Sequence, residues 1–174
     1  MLWQSLRAPA QLRTVVIIGA QSAVLVLIAA AFFMRIPRVT GSSMSPGIDS
    51  GEVVLVDTLF YKMRSIRRGD IVAFKHDPGE PELYLKRVVA TAGDRIAIVA
   101  GTVYVNGRRQ TEPYVHDHDT ASAAPTVVPP GAFYVLGDNR AHSDDSRRFG
   151  PATSSQIVGR AVMGLWPLHQ FGTL

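Results

Sequence analysis

The chain has 174 residues, with 18 Lys and Arg against 14 Asp and Glu, and no cysteine. Without a thiol, a disulfide framework, a thiolate metal site and a cysteine nucleophile are all excluded. The net charge of +4 and a pI near 9.8 would suit nucleic acid or an anionic membrane surface, but the basic residues are scattered without a dense stripe, so no nucleic-acid partner is expected.

The length allows one domain of ordinary size with an appendage. Thr14 to Met34 is a run of 21 residues without a charge, in which Thr14, Gln21 and Ser22 are the polar side chains. At about 1.5 Å per residue a helix of this length covers roughly 30 Å, the thickness of a bilayer's hydrocarbon core. A cleaved signal peptide is the competing reading, with Arg7 and Arg13 as its basic region and Ala29-Ala30-Ala31 resembling a cleavage site. The apolar run exceeds a typical signal-peptide core, which favours a retained anchor. Arg7 and Arg13 precede the span and Arg35 and Arg38 follow it, so flanking charge gives no orientation; a long downstream domain crosses regardless of charge. The expected organisation is a short cytoplasmic tail over 1–13, a transmembrane anchor over 14–34 and a β-rich domain over 35–174.

Beyond Pro37 lies Gly41-Ser42-Ser43-Met44-Ser45-Pro46. As a local pattern it reads as a Ser/Gly/Pro turn. A serine hydroxyl is a poor nucleophile at neutral pH unless a base removes its proton, so a catalytic Ser43 needs a partner elsewhere in the chain. Short runs rich in Val, Ile, Tyr and Phe follow: Glu52 to Phe60, Asp70 to Phe74, Leu83 to Ala90, Arg95 to Val99, Thr102 to Val105, Ala132 to Leu136 and Ile157 to Leu165. These predict strands. Arg68-Gly69-Asp70, Ala92-Gly93-Asp94, Ala100-Gly101 and Asn106-Gly107 supply turns between them. The fold class expected is mainly β, an antiparallel barrel or sandwich-like domain behind one N-terminal helix. Thr120 to Pro130, rich in Pro and Ala, reads as a loop.

In Leu83-Tyr84-Leu85-Lys86-Arg87-Val88-Val89 the period of two puts Lys86 on a face with Tyr84 and Val88, and Arg87 with Leu85 and Val89. Both faces are apolar, so one cation is drawn inward. Of the two only lysine can become neutral, because arginine stays protonated. A buried lysine tuned to about 7–8 can serve as a general base; an edge-strand lysine with its head in water is the alternative.

Gly137-Asp138-Asn139-Arg140-Ala141-His142-Ser143-Asp144-Asp145-Ser146-Arg147 follows the strand at 132–136 and places many hydrogen-bonding groups at its end. Asp145 and Arg147 would share one side of an extended segment and could pair, and Ser143 and Ser146 could position an amine. A solvated polar loop fits the same residues. His116-Asp117-His118-Asp119 could turn two imidazoles to one side, but no third ligand is evident, and no metal is expected. Asp77-Pro78-Gly79-Glu80-Pro81-Glu82 reads as a polar hairpin tip.

Four of these stretches, in order, resemble the type I signal peptidases, membrane-anchored serine proteases with a serine-lysine dyad. Ser43-Met44-Ser45-Pro46 looks like the nucleophile motif, and Arg68-Gly69-Asp70-Ile71-Val72-Ala73-Phe74 like an internal strand. Tyr84-Leu85-Lys86-Arg87-Val88-Val89 with Gly93-Asp94 looks like the lysine motif, and Gly137-Asp138-Asn139-Arg140 with Ser143, Asp145, Ser146 and Arg147 like the last signature. The resemblance implies Ser43 as nucleophile and Lys86 as general base, with Ser143 orienting the lysine amine. Asp145 and Arg147 would form an ion pair, with Asp138, Asn139 and Ser146 supporting the site, and the backbone N–H of Ser43 would serve the oxyanion. It also implies signal peptides of exported preproteins as substrates, cut after an Ala-x-Ala-like pair. Val39, Met44, Ile48, Tyr84 and Leu85 are candidates to line the pockets. The implied location is a bacterial cytoplasmic membrane, in contact with the lipid bilayer, with the catalytic domain on the extracytoplasmic side and no cofactor.

This chain departs from the family pattern in places. Some members carry a serine, as oxyanion donor, where Gly41 stands. Ala141 and His142 replace acidic and amide residues, and Gly47 and Ile48 replace threonine and leucine. Rival readings are a self-cleaving repressor-like protein, which should carry a DNA-binding module before Ser43, an anchored non-catalytic β-domain that binds secreted proteins, and a narrow-specificity processing peptidase of the same family.

Overall fold

The computed structural model describes residues 10–77, 79, 81–116 and 119–174. Two compact units divide the chain after Met34. The first contains the helix α1 (Ala10–Phe33). Val15, Ile18, Leu25 and Phe32 are among its exposed side chains. Gln11–Phe33 is long and apolar enough to cross a membrane. A helix apolar on every side has no polar stripe to turn toward water, the pattern of a segment surrounded by lipid or by a large core.

A two-residue strand, β1 (Met34–Arg35), stands at the boundary. The second unit is built from antiparallel strands. β2 (Val53–Asp57), β11 (Ile157–Trp166), β3 (Ile71–Phe74), β4 (Tyr84–Thr91), β9 (Ala132–Leu136) and β10 (Ala152–Thr153) lie side by side in that order, with β12 (Gly172–Thr173) on β11. A smaller sheet has the order β7 (Arg108–Arg109), β6 (Thr102–Val105), β5 (Arg95–Val99), β8 (Ala123–Val127). The fold is mainly antiparallel β, as the alternation of short apolar runs and turn signals predicts.

The sequence explains how strands seat the core. All four residues of β3 are buried. Ile71 and Ala73 face a cluster with Met44, Val54 and Leu85, whereas Val72 and Phe74 face another with Val88 and Val135. A strand buried on both faces needs a continuous apolar run, and Ile-Val-Ala-Phe is one. A third cluster joins Val89, Ala90 and Tyr134 to Ile96, Ile98 and Val103 of the smaller sheet. Asn106 and Gly107, both at positive φ (54° and 76°), turn β6 into β7, the conformation this dipeptide favours in tight hairpins.

Two boundaries differ from expectation. The strand expected over 52–60 ends at Asp57, because its Oδ1 accepts from the backbone N–H of Leu59 (3.0 Å) and Phe60 (2.8 Å). That local bond turns the chain into the short helix α2 (Phe60–Met63). The loop expected over 120–130 contains β8, which among the described residues pairs with β5 and ends the smaller sheet. Pro125 lacks an N–H, which an edge strand with one free side tolerates.

Candidate active site

Ser43 and Lys86 come from segments 43 residues apart, and the structure brings them together: Lys86 Nζ donates to Ser43 Oγ at 2.6 Å. β4 supplies the lysine between β3 and β9, with Val72 opposite Lys86 and Leu136 opposite Arg87. Lys86 is 2% exposed. Burial pulls its pKa down from the usual 10.5 to about 8; the carboxylates of Asp145, Asp144 and Asp138 act against that shift, and the Arg147 guanidinium adds to it. The amine is thereby held close to the point where it accepts a proton at neutral to mildly alkaline pH.

The segment carrying Ser43 is pinned to the end of β9. Asn139 donates its backbone N–H to the Ser43 carbonyl (3.0 Å) and its Nδ2 to the Ser42 carbonyl (3.1 Å). Gly137 makes this approach possible, since a Cβ there would lie 2.5 Å from the Ser43 carbonyl oxygen and 2.2 Å from Ser143 Oγ. Gly41 has a different reason. Its φ is +93° and nothing lies within 4 Å of a Cβ built on it, so backbone conformation, not space, favours glycine there.

Asp138 receives a two-pronged bond from Arg87, Nε to Oδ1 at 2.9 Å and Nη2 to Oδ2 at 2.7 Å. Asp145 is fully buried. Its carboxylate takes Arg147 Nε and Nη2, each at 2.8 Å, and the Gly137 N–H at 3.1 Å. The pair forms at a helix start and not along the extended segment expected: Asp145 caps α3 (Ser146–Phe149), accepting from the Arg147 N–H. Arg147 also reaches Asp119. Ser146 Oγ accepts from the Val135 N–H at 2.9 Å and ties α3 to β9. Ser143 Oγ is buried and, among the described residues, has no hydrogen-bond partner.

A cleft of about 290 Å³ opens beside Ser43 and Lys86. Val39, Met44, Tyr84 and Leu85 line it, with Pro37, Arg38 and Leu83. Ile48 does not. It is 1% exposed and packs into the core with Met44 and Val54, because the turn after Ser43, closed by the Ile48 N–H on the Met44 carbonyl (3.0 Å), directs it inward.

Several supporting contacts escaped the sequence reading. Glu112 takes Arg140 through both Nη atoms at 3.0 and 2.6 Å. Arg68 pairs with Asp94; burial raises the Asp94 pKa, but bonds from Arg68, the Thr91 N–H and Asn106 outweigh it and bring it to about 2. Each joins residues 26 or 28 positions apart, beyond the reach of local spacing. Of the stretch His116-Asp117-His118-Asp119, residues 117 and 118 lie outside the described residues, as do Pro78 and Glu80 of the hairpin tip and the first nine residues of the tail. Among the described residues no three His, Asp or Glu stand together as a metal site.

The family model described as signal peptidase, peptidase S26, matches residues 12–166. A signal peptidase I of Bacillus caldolyticus is 40% identical over 147 residues, covering 76% of this chain and 80% of that protein. A signal peptidase IB of Staphylococcus aureus is 34% identical over 166 residues, covering 85% of this chain and 86% of that protein. The crystal structure of a signal peptidase I from Enterococcus faecalis V583 aligns with a TM-score of 0.46 at 29% identity, over 56% of this chain and 97% of that one. With an ordered family match over most of its length, the chain belongs to the signal peptidase, peptidase S26, family of serine proteases.

Proposed function

We propose that this chain is a membrane-anchored endopeptidase that removes signal peptides after an Ala-x-Ala-like site, with Ser43 as nucleophile and Lys86 as general base. The observation that supports the dyad is the 2.6 Å contact between Lys86 Nζ and Ser43 Oγ beside a cleft. The neutral amine takes the hydroxyl proton as Ser43 Oγ bonds to the scissile carbonyl carbon. The tetrahedral oxyanion is stabilised by the Ser43 N–H. On collapse the C–N bond breaks and the Lys86 ammonium returns its proton to the leaving amine, freeing the mature protein. Lys86 then deprotonates a water, which attacks the acyl-serine carbonyl carbon; as the bond to Ser43 Oγ breaks, the Lys86 ammonium returns the proton to Oγ and the signal peptide leaves. Ser143, whose buried hydroxyl has no partner among the described residues, is free to turn toward the amine and orient it once substrate is bound, and the Asp145–Arg147 pair holds the loop that carries it. Val39, Met44, Tyr84 and Leu85 shape pockets that reject large side chains. The apolar span 14–34 anchors the enzyme in a bacterial cytoplasmic membrane, with 1–13 cytoplasmic and 35–174 outside.

The test is cleavage of a preprotein with an Ala-x-Ala site by the detergent-solubilised chain, beside folded Ser43→Ala and Lys86→Ala variants. The parent cuts once, after the small-residue pair, and both variants are inactive. The parent's kcat/KM rises with pH and levels off above about 8, where the amine is neutral. On the acid side it falls about tenfold per pH unit, as the neutral fraction does. A variant that still cuts, or a flat profile through the acid range, removes the corresponding residue from its role.

A further inference from the structure

Glu112 and Tyr114 lie in the connection between β7 and β8, outside every motif that the sequence singled out, yet they touch both halves of the site. The Glu112 carboxylate holds Arg140 through two bonds, and the two side chains are 7% and 2% exposed. Glu112 Oε1 also accepts from Tyr114 Oη at 3.1 Å. The Tyr114 ring in turn lies 4.1 Å from the Arg87 guanidinium, within range of a cation–π contact. The arginines so bridged have separate tasks. Arg140 donates Nε to the Gly137 carbonyl (3.0 Å) and follows Asn139, whose two donors hold Ser42 and Ser43. Arg87 follows Lys86 on β4 and forks onto Asp138.

From this chain of contacts we propose that Glu112 and Tyr114 are positioning residues, forming a clasp that fixes the strand bearing Lys86 against the loop that holds Ser43. The inference rests on the serine-lysine reading above. Both clasped arginines are already committed to the site, and the segment contributing Glu112 and Tyr114 is anchored again where Asp119 meets Arg147. Glu112 and Arg140 are both nearly dry, so a Glu112 that loses its charge leaves a buried guanidinium unpaired, and the loop must move to resolvate it. Neither residue lines the cleft beside Ser43. Peptide binding is therefore spared while the distance between nucleophile and base is not.

The experiment compares the full chain in detergent with Glu112→Gln, Tyr114→Phe and Tyr114→Leu, using a preprotein substrate and active sites counted by a covalent serine reagent. Glu112→Gln and Tyr114→Leu lower kcat about tenfold per active site with KM within about twofold, the signature of a lost alignment. The acid limb of kcat against pH moves upward, because a loosened site admits water to an amine whose pKa is lowered by burial. The facing charges of Asp145, Asp144, Asp138 and Arg147 remain. Tyr114→Phe keeps the ring on Arg87 and loses only the bond to Glu112, so its effect is smaller; it carries the test if the other variants fail to fold. Variants that melt earlier but keep the parent's kcat per active site and pH limb overturn the clasp and leave Glu112 and Tyr114 structural. A parent without an acid limb, or an active Ser43→Ala, would instead overturn the dyad.

Discussion

Lys86 is nearly dry and its charge is compensated by partners that also serve other groups, so its ammonium is strained in the folded state. Its pKa falls from 10.5 to about 8. A lowered lysine pKa means that the unfolded chain binds more protons than the folded chain between pH 8 and 10.5, so stability rises with pH through that window. Below pH 8 the full cost is present, about 3 kcal/mol at roughly 1.4 kcal/mol per pH unit. Lys86→Met is therefore expected to stabilise the chain at pH 7 while abolishing cleavage, with the advantage shrinking toward pH 10.5. Urea unfolding of the parent and the variant in detergent at pH 7 and pH 10 measures both values. A variant less stable than the parent at pH 7 would show that the bond to Ser43 outweighs burial.

At the scale of elements, the site depends on how closely the end of β9 approaches the turn after β1. Gly137 is the contact point. A Cβ there would sit 2.5 Å from the Ser43 carbonyl oxygen, a backbone atom that cannot rotate away, as well as 2.2 Å from Ser143 Oγ. Gly137→Ala must therefore push the Ser43 segment from β9 and strain both Asn139 bonds. Overpacking of this kind costs about 1–3 kcal/mol, and a misplacement of about 1 Å at a reacting group costs on the order of 100-fold in kcat. Gly79→Ala, where nothing lies within 4 Å, is the matched control and keeps the parent's kcat. Parental kcat in Gly137→Ala would mean that the loop relaxes without moving Ser43.

The same elements show what a sequence reveals. Ile71 to Phe74 and Tyr84 to Thr91 are legible because apolar runs between turn residues leave few alternatives to strands. β8 is not, because pairing with β5 overrides the poor propensity of Ala-Ala-Pro. Ser43, Lys86 and the stretch after Gly137 stand out through their residue types, and the structure brings them within bonding distance. What does not stand out is that Arg87 takes Asp138, Arg140 takes Glu112 and Arg147 takes Asp119. Asp138, Glu112 and Asp119 lie 51 and 28 positions away from those arginines, and only the folded chain brings them into contact. Asp145 and Arg147 pair as expected but by a different route, through the cap of α3.

For the whole molecule, the proposed anchor and the β unit divide the work. Residues 35–174 form a compact unit with their own buried core, and all the residues assigned to chemistry lie within it. Residues 35–174 alone should therefore fold and cleave a short soluble peptide with a kcat/KM within a few fold of the full chain's. A signal peptide, by contrast, is itself held in the bilayer. If the helix Ala10–Phe33 resides in the same membrane, both partners are confined to a surface layer, and the encounter gains an effective concentration that the free unit lacks. The expected loss on removing the helix is about 10²-fold or more in rate on preproteins inserted in vesicles, against little on the peptide. Parallel assays on the two substrates separate the outcomes. Equal losses on both would mean that the β unit needs the helix to fold or act; no loss on either would mean that the helix contributes nothing to capture, and that the cleft alone finds the cleavage site.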